Sequence, residues 1–414
     1  MRATIVIPTY WGRPSTEMVR PEDAVYDHPT ELDSTGTLEQ ALHSITVLDS
    51  KDFNVVVLAC ATSPDIAEKV EEKVKGIAGT FRGYFPVAVV SHGFESRLKD
   101  RVGEAAGGEL AELGPEMLSL TGYSNIRNMC LVAAELARSE VAVLFDDDQV
   151  YEDKHYLDKV FENIGREIDG KFLGTIAGYY IRADETIYPQ PCTEHDWWMA
   201  EWPKIDAMRD AFKIIEEEPR LKPTPWVFGG NMVIHRDIFR RIAFDPNVRR
   251  GEDIDFLTNC KFFEIDFLLD NQLAIKHLQP ASSGPAWKGF REDLYRFVYA
   301  REKLRRQVPG ACPRLVTVED LDPYPGRLMR DDLEELIYRT CVLTGLNYMH
   351  SSDSSETYEV GFIETMRNIF YARYDAPPDH DPFQWYLEFR ERWEQLMGFL
   401  ATDDYMSKEL LGAM

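Results

Sequence analysis

The chain has 414 residues, of which 44% are hydrophobic and 12% aromatic, so it can bury a large core as one large domain with an extension or as two domains. A formal net charge of −25 opposes generic binding to nucleic acid, which needs a basic face. No stretch approaches the ~20 apolar residues that cross a bilayer, and no apolar signal segment opens the chain, so we expect a cytoplasmic protein without a membrane span. The six cysteines stand singly, so we expect them to be reduced and to form neither a zinc site nor a disulfide framework.

The first third of the chain alternates strand and helix signals. Short apolar runs bounded by turn residues predict strands over residues 3–10, 53–62 and 84–93. Apolar residues at helical spacing predict helices over 37–50 and 63–79, the second with Ser63 as its N-cap and Pro64 at its first position. Strand, helix and strand in this order require a right-handed crossover and a parallel sheet. The Gly-rich segment 94–122 is expected to be a mobile loop with a short helix.

Three aspartates end the most strand-like segment of the chain. A predicted helix over 124–139 leads into a strand over 140–145, and Asp146, Asp147 and Asp148 follow directly. Adjacent carboxylates beside an apolar run repel one another and lose hydration, so they need a cation or hydrogen-bond donors nearby. Ligands of open parallel sheets collect outside the carboxyl ends of strands, which is where these residues lie. A ligand-binding role is expected, although capping of the turn stays open for one of them.

Strand and helix signals continue to the C-terminus. Strands are predicted over 171–182 and 272–280, a Gly-Gly turn with a short strand and a helix over 226–246, and helices over 248–270, 289–307, 331–349 and 382–400. In the last helix, large apolar residues recur every three or four positions: Trp385, Phe389, Trp393, Leu396 and Leu400. This face must be buried against the catalytic domain, a partner helix or a second subunit, so a homodimer through the C-terminal helices is one expectation.

Six motifs, taken in order, resemble those of the GT-A glycosyltransferases, most of all the large family 2 group and its relatives. They are TIVIPTYWGRP (4–14), SNIRNMCL (124–131), LFDDDQVYED (144–153), FGGNMVIHRDIF (228–239), RRGEDIDF (249–256) and IKHLQP (275–280). The resemblance covers residues 3 to about 280 and implies a Rossmann-like GT-A α/β fold, a mostly parallel sheet flanked by helices. The implied catalytic domain is 1–285, with a nucleotide-binding half to about 150 and an acceptor half from about 151, followed by a helical C-terminal extension over 286–414.

The resemblance also implies an activity and a metal. A GT-A enzyme of this kind moves a sugar, here expected to be a hexose, from a UDP- or GDP-linked donor to a hydroxyl of a small molecule or glycan. Mn²⁺ or Mg²⁺ bridges the diphosphate. In the family's Asp-x-Asp motif the last Asp binds the metal and the first contacts the ribose or a metal-bound water, which maps to Asp148 and Asp146. His277 occupies the place from which some GT-A enzymes take a further metal ligand. Asp147 would face the sugar or ribose, since side chains alternate along an extended segment.

A second acidic motif, RRGEDIDF, resembles the family's Glu-Asp motif. Its Asp accepts the proton of the attacking acceptor hydroxyl, which makes Asp253 the candidate general base, with Glu252 in support and Asp255 a less favoured substitute. The alternative is a helix N-terminus decorated with stabilising acids, worth roughly 0.3–1 kcal/mol each.

The remaining predicted residues concern the donor. Arg127 and Asn128 resemble the family's Arg-Asn pair near the nucleotide, and Thr9 and Tyr10 fall where the family holds the nucleobase. Two glycines and an asparagine fit a close approach of the main chain to the donor sugar, or equally a tight turn. The predicted donor-binding residues are Thr9, Tyr10, Arg127, Asn128, Asp146, Asp147, Gly229, Gly230 and Asn231.

Several alternatives stay open at this point. Arg249 and Arg250 are either phosphate clamps or a solvated pair. The insertion 191–226, with Trp197, Trp198, Trp202 and Trp226, either shapes the acceptor pocket or packs as a helical hairpin. The alternative functions are a sugar nucleotidyltransferase, although PTYWGRP lacks the Gly-rich basic loop such enzymes carry, and a non-catalytic nucleotide-sugar-binding module.

Overall fold

A computed structural model describes residues 1–168, 170–191, 201–278, 285–350 and 356–414. The predictions that involve Trp197 and Trp198 fall outside these residues. The described strands form a ten-stranded mixed sheet and a separate two-stranded sheet of β7 and β8. The strands are β1 (Ala3–Gly12), β2 (Thr30–Glu31), β3 (Phe53–Ala61), β4 (Val87–Val90), β5 (Val141–Leu144), β6 (Gln149–Val150), β7 (Glu167–Ile168), β8 (Lys171–Phe172), β9 (Thr175–Arg182), β10 (Leu221–Pro223), β11 (Met232–His235) and β12 (Leu268–His277).

The order of the strands creates a crevice at one edge of the large sheet. Its main path is β10-β12-β9-β11-β5-β1-β3-β4, with β2 paired to β1 and β6 paired to β12. Strands β1, β3, β4 and β5 are parallel, whereas β11 runs antiparallel to β5 and β9. The chain moves outward from β1 through β3 to β4 and then returns to β5 on the other side of β1. This reversal is a topological switch point, outside which ligands of such sheets bind.

Helices cover both faces of the sheet. They are α1 (Leu38–Ile45), α2 (Ala67–Gly79), α3 (His92–Ala105), α4 (Glu109–Leu113), α5 (Tyr123–Leu136), α6 (Tyr156–Asn163), α7 (Lys204–Phe212), α8 (Arg236–Phe239), α9 (Glu252–Phe262), α10 (Ala286–Arg305), α11 (Leu333–His350), α12 (Glu356–Phe370), α13 (Pro382–Thr402) and α14 (Asp404–Gly412). Alternate residues of the central strands enter two cores: Ile5 and Val55 face the core under α1, α2 and α6, and Val6 and Val56 face the core under α3, α5, α9, α10 and α13. The Rossmann-like, mostly parallel α/β architecture with a helical C-terminal extension is therefore confirmed.

One local prediction in the first third of the chain is wrong, and a second is correct only in part. The segment 94–122 is not a mobile loop, because most of it forms α3 and α4. Phe94, Leu98 and Val102 are buried and recur every four residues, which is one face of a helix, and the hydroxyl of Ser91 accepts a hydrogen bond from the Phe94 N–H at 3.4 Å. Ser63 and Pro64 hold the predicted N-cap and first positions, but of a 3₁₀ turn over Pro64–Ile66 that precedes α2, and the Ser63 side chain makes no capping hydrogen bond.

The C-terminal extension shares its core with the rest of the chain. In α13, Trp393, Leu396 and Leu400 are fully buried, and the Trp393 indole N–H donates to the Phe239 carbonyl at 2.8 Å. The Tyr386 hydroxyl donates to the Ala243 carbonyl at 3.1 Å. The apolar face of α13 is thus buried within the chain and does not require a second subunit to cover it.

An ionic group joins α10 to α9. The ammonium of Lys303 lies 2.7 Å from an Asp245 carboxylate oxygen and 2.8 Å from an Asp255 oxygen, and it donates to the Asn259 side-chain oxygen at 3.2 Å. We call these four residues the Lys303 cluster. Lys303 is 1% exposed, and the ring of Tyr386 covers its ammonium at 4.5 Å.

The part of the chain that the structure describes contains no helix long and apolar enough to cross a membrane.

Candidate active site

A cavity of about 240 Å³ opens at the carboxyl ends of β1 and β5. We call it the strand-end cavity. It brings together most of the residues predicted from sequence, although they are far apart in the chain. Those that line it are Tyr10, Arg127, Asp146, Asp147, Asp148, Gly229, Glu252, Asp253 and His277. This convergence at the switch point is what the order of the motifs predicted.

The three aspartates point in three different directions. The prediction that Asp146 and Asp148 face one way and Asp147 the other assumed an extended segment, and it is wrong because Asp147 and Asp148 lie in a turn. The turn is closed by Gln149, whose side-chain amide accepts from the Asp146 N–H at 3.1 Å and donates to the Asp146 carboxylate at 3.3 Å. Each carboxylate therefore has its own partner, which reduces their mutual repulsion.

Asp147 turns back toward the end of β1. Its carboxylate accepts a hydrogen bond from the Thr9 hydroxyl at 2.5 Å, and that hydroxyl in turn accepts from the Trp11 indole N–H at 2.9 Å. Loss of hydration raises the pKa of Asp147 to about 8, although the Thr9 hydrogen bond opposes this rise. Thr9, which was predicted to bind the donor, is fully buried and contacts Asp147.

Asp148 meets His277 because two strands pair across the cavity. The short strand β6 runs antiparallel to the end of β12 and places Gln149 opposite His277. The Nε2 atom of His277 then lies 3.1 Å from an Asp148 carboxylate oxygen. Both side chains remain partly accessible, at 18% and 20% exposure. Sequence analysis named these two residues but could not predict that a strand pair would bring them together.

The Asp148–His277 pair fits part of a metal site. Two ligands in neighbouring positions of an octahedral site, each about 2.1 Å from the metal, lie about 3 Å apart. Carboxylate oxygen and imidazole nitrogen suit Mn²⁺ and, with more oxygen ligands, Mg²⁺. Within the described ranges, no group of three or more His, Cys, Asp and Glu side chains is arranged to hold a metal ion. A metal held by Asp148 and His277 would need its further ligands from a bound molecule and water.

Asp146, the third predicted ligand, is turned toward Arg127. The guanidinium of Arg127 lies 2.8 Å from an Asp146 oxygen and donates to Glu252 at 3.3 Å, so it joins α5, the end of β5 and the start of α9. Arg127 Nη1 and Asp146 Oδ1 are the two atoms of this 2.8 Å ion pair, and both are buried. Arg127 therefore balances the charge of Asp146 at the cavity wall.

Asp253 lies at the first turn of α9 and lines the same cavity. One carboxylate oxygen accepts from the Gly229 N–H at 3.2 Å and the other from the Ile254 N–H at 2.8 Å. Loss of hydration, and then the nearby charge of Glu252, raises the pKa of Asp253 to about 6. A carboxylate with this pKa is ionised at neutral pH and accepts a proton more readily than an ordinary Asp.

The other predicted donor residues lie behind the cavity wall. Asn128 is fully buried and exchanges two 2.8 Å hydrogen bonds with the backbone of Phe244, and Asn231 binds the carbonyls of Tyr179 and Leu273. Their side chains fix the backbone around the cavity and do not line it. At Gly230, an added Cβ would lie 2.2 Å from the Gln149 side chain and 2.3 Å from Asp146, so the glycine permits close packing of the aspartate turn. Direct contact of these three residues with a donor stays a prediction.

Several lining residues were not predicted from sequence. The Tyr180 hydroxyl, near the end of β9, accepts from the Gly230 N–H at 3.0 Å and from Gln149 at 2.8 Å, and its ring lies 4.6 Å from that of His277. Tyr180 lies at the same sheet edge as the aspartates, and this position was the sequence signal that could have identified it. Tyr10 packs between Tyr26 and Tyr123, with ring centroids 4.5 and 5.5 Å away. Tyr123 lines the cavity as well and directly precedes the motif SNIRNMCL, whereas Tyr26 is not among the lining residues.

The structure also bears on Arg249 and Arg250 and on two tryptophans, Trp202 and Trp226, whose roles the sequence left open. Arg250 lines the cavity and pairs with Asp27 at 2.8 Å, whereas Arg249 stacks on Tyr295 at 5.1 Å. Trp202 and Trp226 are buried, so core packing is the correct interpretation for these two residues. The unpredicted Arg296 of α10 also reaches the cavity.

Comparison with known proteins yields only distant likenesses. No protein-family model matches the chain, and no curated protein matches it in sequence. The mannosyltransferase PcManGT from Pyrobaculum calidifontis, solved in complex with GDP-Man and Mn²⁺, is 12% identical over 98% of this chain and 88% of that one, with a TM-score of 0.45. The crystal structure of a mycobacterial protein is 11% identical over 71% of this chain and 74% of that one, with a TM-score of 0.34. Likenesses this low carry no argument about activity, which has to come from the geometry of the cavity.

Proposed function

We propose that this protein is a metal-dependent glycosyltransferase that moves a sugar, a hexose by the family resemblance, from a nucleotide-diphosphate sugar to a hydroxyl acceptor. One observation carries the proposal. A pair of metal-ligand type, Asp148 and His277, and a separate carboxylate of raised pKa, Asp253, line the same cavity at the switch point of a mostly parallel sheet. Transfer of a sugar from a diphosphate needs both a cation on the leaving group and a base for the acceptor.

Asp148 and His277 would hold the metal, Mn²⁺ or Mg²⁺. When bound, the cation neutralises the charge that develops on the departing diphosphate. The imidazole ligand favours Mn²⁺ slightly. Asp146, held by Arg127 and Gln149, would contact the ribose or a metal-bound water. Tyr10, whose ring forms part of the cavity wall beside Tyr123, would pack on the base of a UDP- or GDP-linked donor.

Asp253 would act as the general base. Its two hydrogen bonds from backbone N–H groups hold the carboxylate in one orientation, and it remains partly exposed to the cavity. As the acceptor oxygen attacks the sugar carbon, its proton moves to an Asp253 oxygen, and the bond from the sugar to the diphosphate breaks. Glu252 supports this role, since its negative charge raises the pKa of Asp253.

The proposal also assigns a role to each part of the chain. Residues 1–285 would form the catalytic domain, with donor contacts mainly before residue 150 and acceptor contacts after it. Residues 286–414 would form an extension that completes this domain, because α13 lies in its core and α10 supplies Arg296 to the cavity.

Turnover with a panel of nucleotide sugars and Mn²⁺ tests the proposed function. We expect release of nucleoside diphosphate from one UDP- or GDP-linked sugar, and loss of that release in EDTA. Release of pyrophosphate from a sugar phosphate and a nucleoside triphosphate would instead identify a nucleotidyltransferase. Binding of a donor with no turnover across a broad panel of acceptors would indicate a non-catalytic module.

A further inference from the structure

The C-terminal extension places a guanidinium at the cavity wall that carries the proposed base. Arg296 lies on α10 and lines the strand-end cavity. It packs over Gly251, the residue before Glu252 and Asp253, where an added Cβ would lie 2.6 Å from its Cδ atom and 3.1 Å from its Nη1 atom. Gly251 has φ +76°, so an L side chain there would be both strained and obstructed. The chain is therefore built to bring this arginine close to the start of α9.

The carboxylate that contacts Arg296 is shared with a second cation, and Asp253 is the other negative charge near this guanidinium. The buried carboxylate of Asp293 accepts from Arg296 Nη2 at 2.9 Å, from Lys204 Nζ at 2.8 Å and from the Trp202 indole N–H at 3.3 Å. One carboxylate thus serves two cations. Asp293 is 9% exposed and Arg296 15% exposed in their side chains, so water provides little compensation.

Arg296 also keeps unused hydrogen-bond donors. Its Nη2 donates to Asp293 and to the Tyr324 hydroxyl at 3.0 Å, which fixes the plane of the guanidinium. Its Nε is buried without a hydrogen-bond partner among the described residues, and none of them accepts from Nη1. A fixed guanidinium with free donors on Nε and Nη1 can still donate charge-assisted hydrogen bonds to a carboxylate or a phosphate.

A second guanidinium lies at the same wall and is held by the same helix. Arg250 pairs with Glu292, the neighbour of Asp293 on α10, and with Asp27. Its side chain is 40% exposed. Helix α10 therefore organises two cations beside the start of α9, which carries Asp253.

We propose that the acceptor carries an anionic group, a carboxylate or a phosphate, and that Arg296 binds it. This inference rests on the proposed function and names the class of acceptor. The donor diphosphate belongs with the metal ligands at the end of β12, whereas Arg296 lies beside the residues that precede the base. The anionic group of the acceptor then balances the second cation at Asp293 and holds the reacting hydroxyl near Asp253.

Three acceptors that differ in one substituent test this inference. Glucose, glucuronate and glucose 6-phosphate share a ring and differ in charge, and they are assayed with the donor found in the nucleotide-sugar panel. We expect the wild type to prefer at least one charged acceptor. Arg296→Met should lower kcat/KM for that acceptor about 10- to 100-fold more than for glucose, the usual range for a lost charge-assisted hydrogen bond. Arg296→Lys should restore part of the loss, and the better of the two charged arms identifies carboxylate or phosphate.

The control is Arg306→Met, which removes the same charge just past the end of α10, where the side chain is 46% exposed. It should change none of the three values. An equal loss for all three acceptors in Arg296→Met, together with a shifted pH profile, would overturn the inference and make Arg296 a residue that only positions or tunes Asp253. The absence of any preference for a charged acceptor in the wild type would also overturn it.

A binding measurement keeps this test separate from that of the proposed function. Thermal unfolding of the full chain with each of the three sugars needs no donor and no turnover. Glucuronate or glucose 6-phosphate should raise the Tm of the wild type more than that of Arg296→Met. Glucose should change the Tm of the two proteins by the same amount. Equal shifts in the two proteins contradict the anion site even if turnover is found. An absence of nucleoside diphosphate release across the nucleotide-sugar panel contradicts the proposed function instead.

Discussion

Two groups of acids and cations flank helix α9, and they differ in how completely their charges are satisfied. In the Lys303 cluster, one ammonium contacts Asp245, Asp255 and Asn259, and Lys303 and Asp245 are 1% and 0% exposed. In the strand-end cavity, Asp148 and His277 are about one-fifth exposed, and the buried Nε of Arg296 has no hydrogen-bond partner among the described residues.

This difference separates structure from function better than burial or sequence motif does. The sequence motif RRGEDIDF supplies acids to both groups, Glu252 and Asp253 to the cavity and Asp255 to the Lys303 cluster. A closed, satisfied group has no capacity left for a ligand, whereas unsatisfied groups around an opening do. Changes to the closed group should therefore affect stability, and changes to the open group should affect turnover.

The largest effect is expected from removal of residues 308–414. This truncation removes the α13 face and the Tyr386 ring that covers Lys303. Each fully buried aromatic or aliphatic side chain contributes roughly 1.5–3 kcal/mol, so the loss of this face approaches the whole stability of a typical domain. Residues 1–307 should be aggregated or unfolded by size-exclusion chromatography and circular dichroism. A folded, monomeric fragment with undiminished donor binding would show the extension to be separate.

Breaking the closed group should destabilise the protein without altering donor recognition. Lys303→Met leaves two buried carboxylates without their cation, which typically costs about 3–5 kcal/mol. Denaturant unfolding should show this loss, while the affinity for a nucleoside diphosphate with Mn²⁺ stays within about twofold in the folded protein. The matched control is Lys408→Met, since Lys408 is 79% exposed and should tolerate the change. A variant of wild-type stability would contradict the structural role of the cluster.

Neutralising the proposed base should affect turnover rather than the stability of the protein. Asp253→Asn should lower kcat by roughly 100-fold, the usual contribution of a general base, with donor affinity nearly intact. Asp255→Asn, two residues away in the Lys303 cluster, is the matched comparison and should affect unfolding more than kcat. If donor binding collapses in Asp253→Asn while the rate is kept, Asp253 is a binding residue.

The smallest effect is a pH dependence. A base must be ionised to accept a proton, so kcat/KM should fall as the pH drops through the raised pKa of Asp253, about 6. An ordinary Asp would keep activity down to about pH 4. The pH profile of the wild type, measured with a buffer-independent assay of nucleoside diphosphate release, should show an acid limb near pH 6 that is absent in Asp253→Asn. A flat profile down to pH 4 would contradict the role of Asp253.

Much of the fold was predictable because its signals are local. Apolar strands followed by helical periodicity indicated the parallel half of the sheet, and the position of Asp146–Asp148 after β5 indicated the edge where ligands bind. The helical pattern of α3 was present in Phe94, Leu98 and Val102 but was outweighed by nearby glycines. Contacts between distant segments were not predictable: the pairing of β6 with β12 and the reach of Arg296 from α10 depend on how the whole chain packs. The turn of the three aspartates also depends on Gln149, whose role only the folded cavity shows.

The central claim is that the strand-end cavity binds a nucleotide diphosphate through a metal held by Asp148 and His277. Calorimetric titration with UDP and GDP, with Mn²⁺ or with EDTA, tests it most directly in the wild type, in Asp148→Ala and in His277→Ala. One of the two nucleotides should bind the wild type with Mn²⁺ and at least about tenfold more weakly in EDTA, a difference of about 1.4 kcal/mol. Both variants, at unchanged unfolding stability, should bind equally weakly with or without Mn²⁺. Tight binding in EDTA, or binding by the two variants that still depends on Mn²⁺ as in the wild type, would contradict the claim.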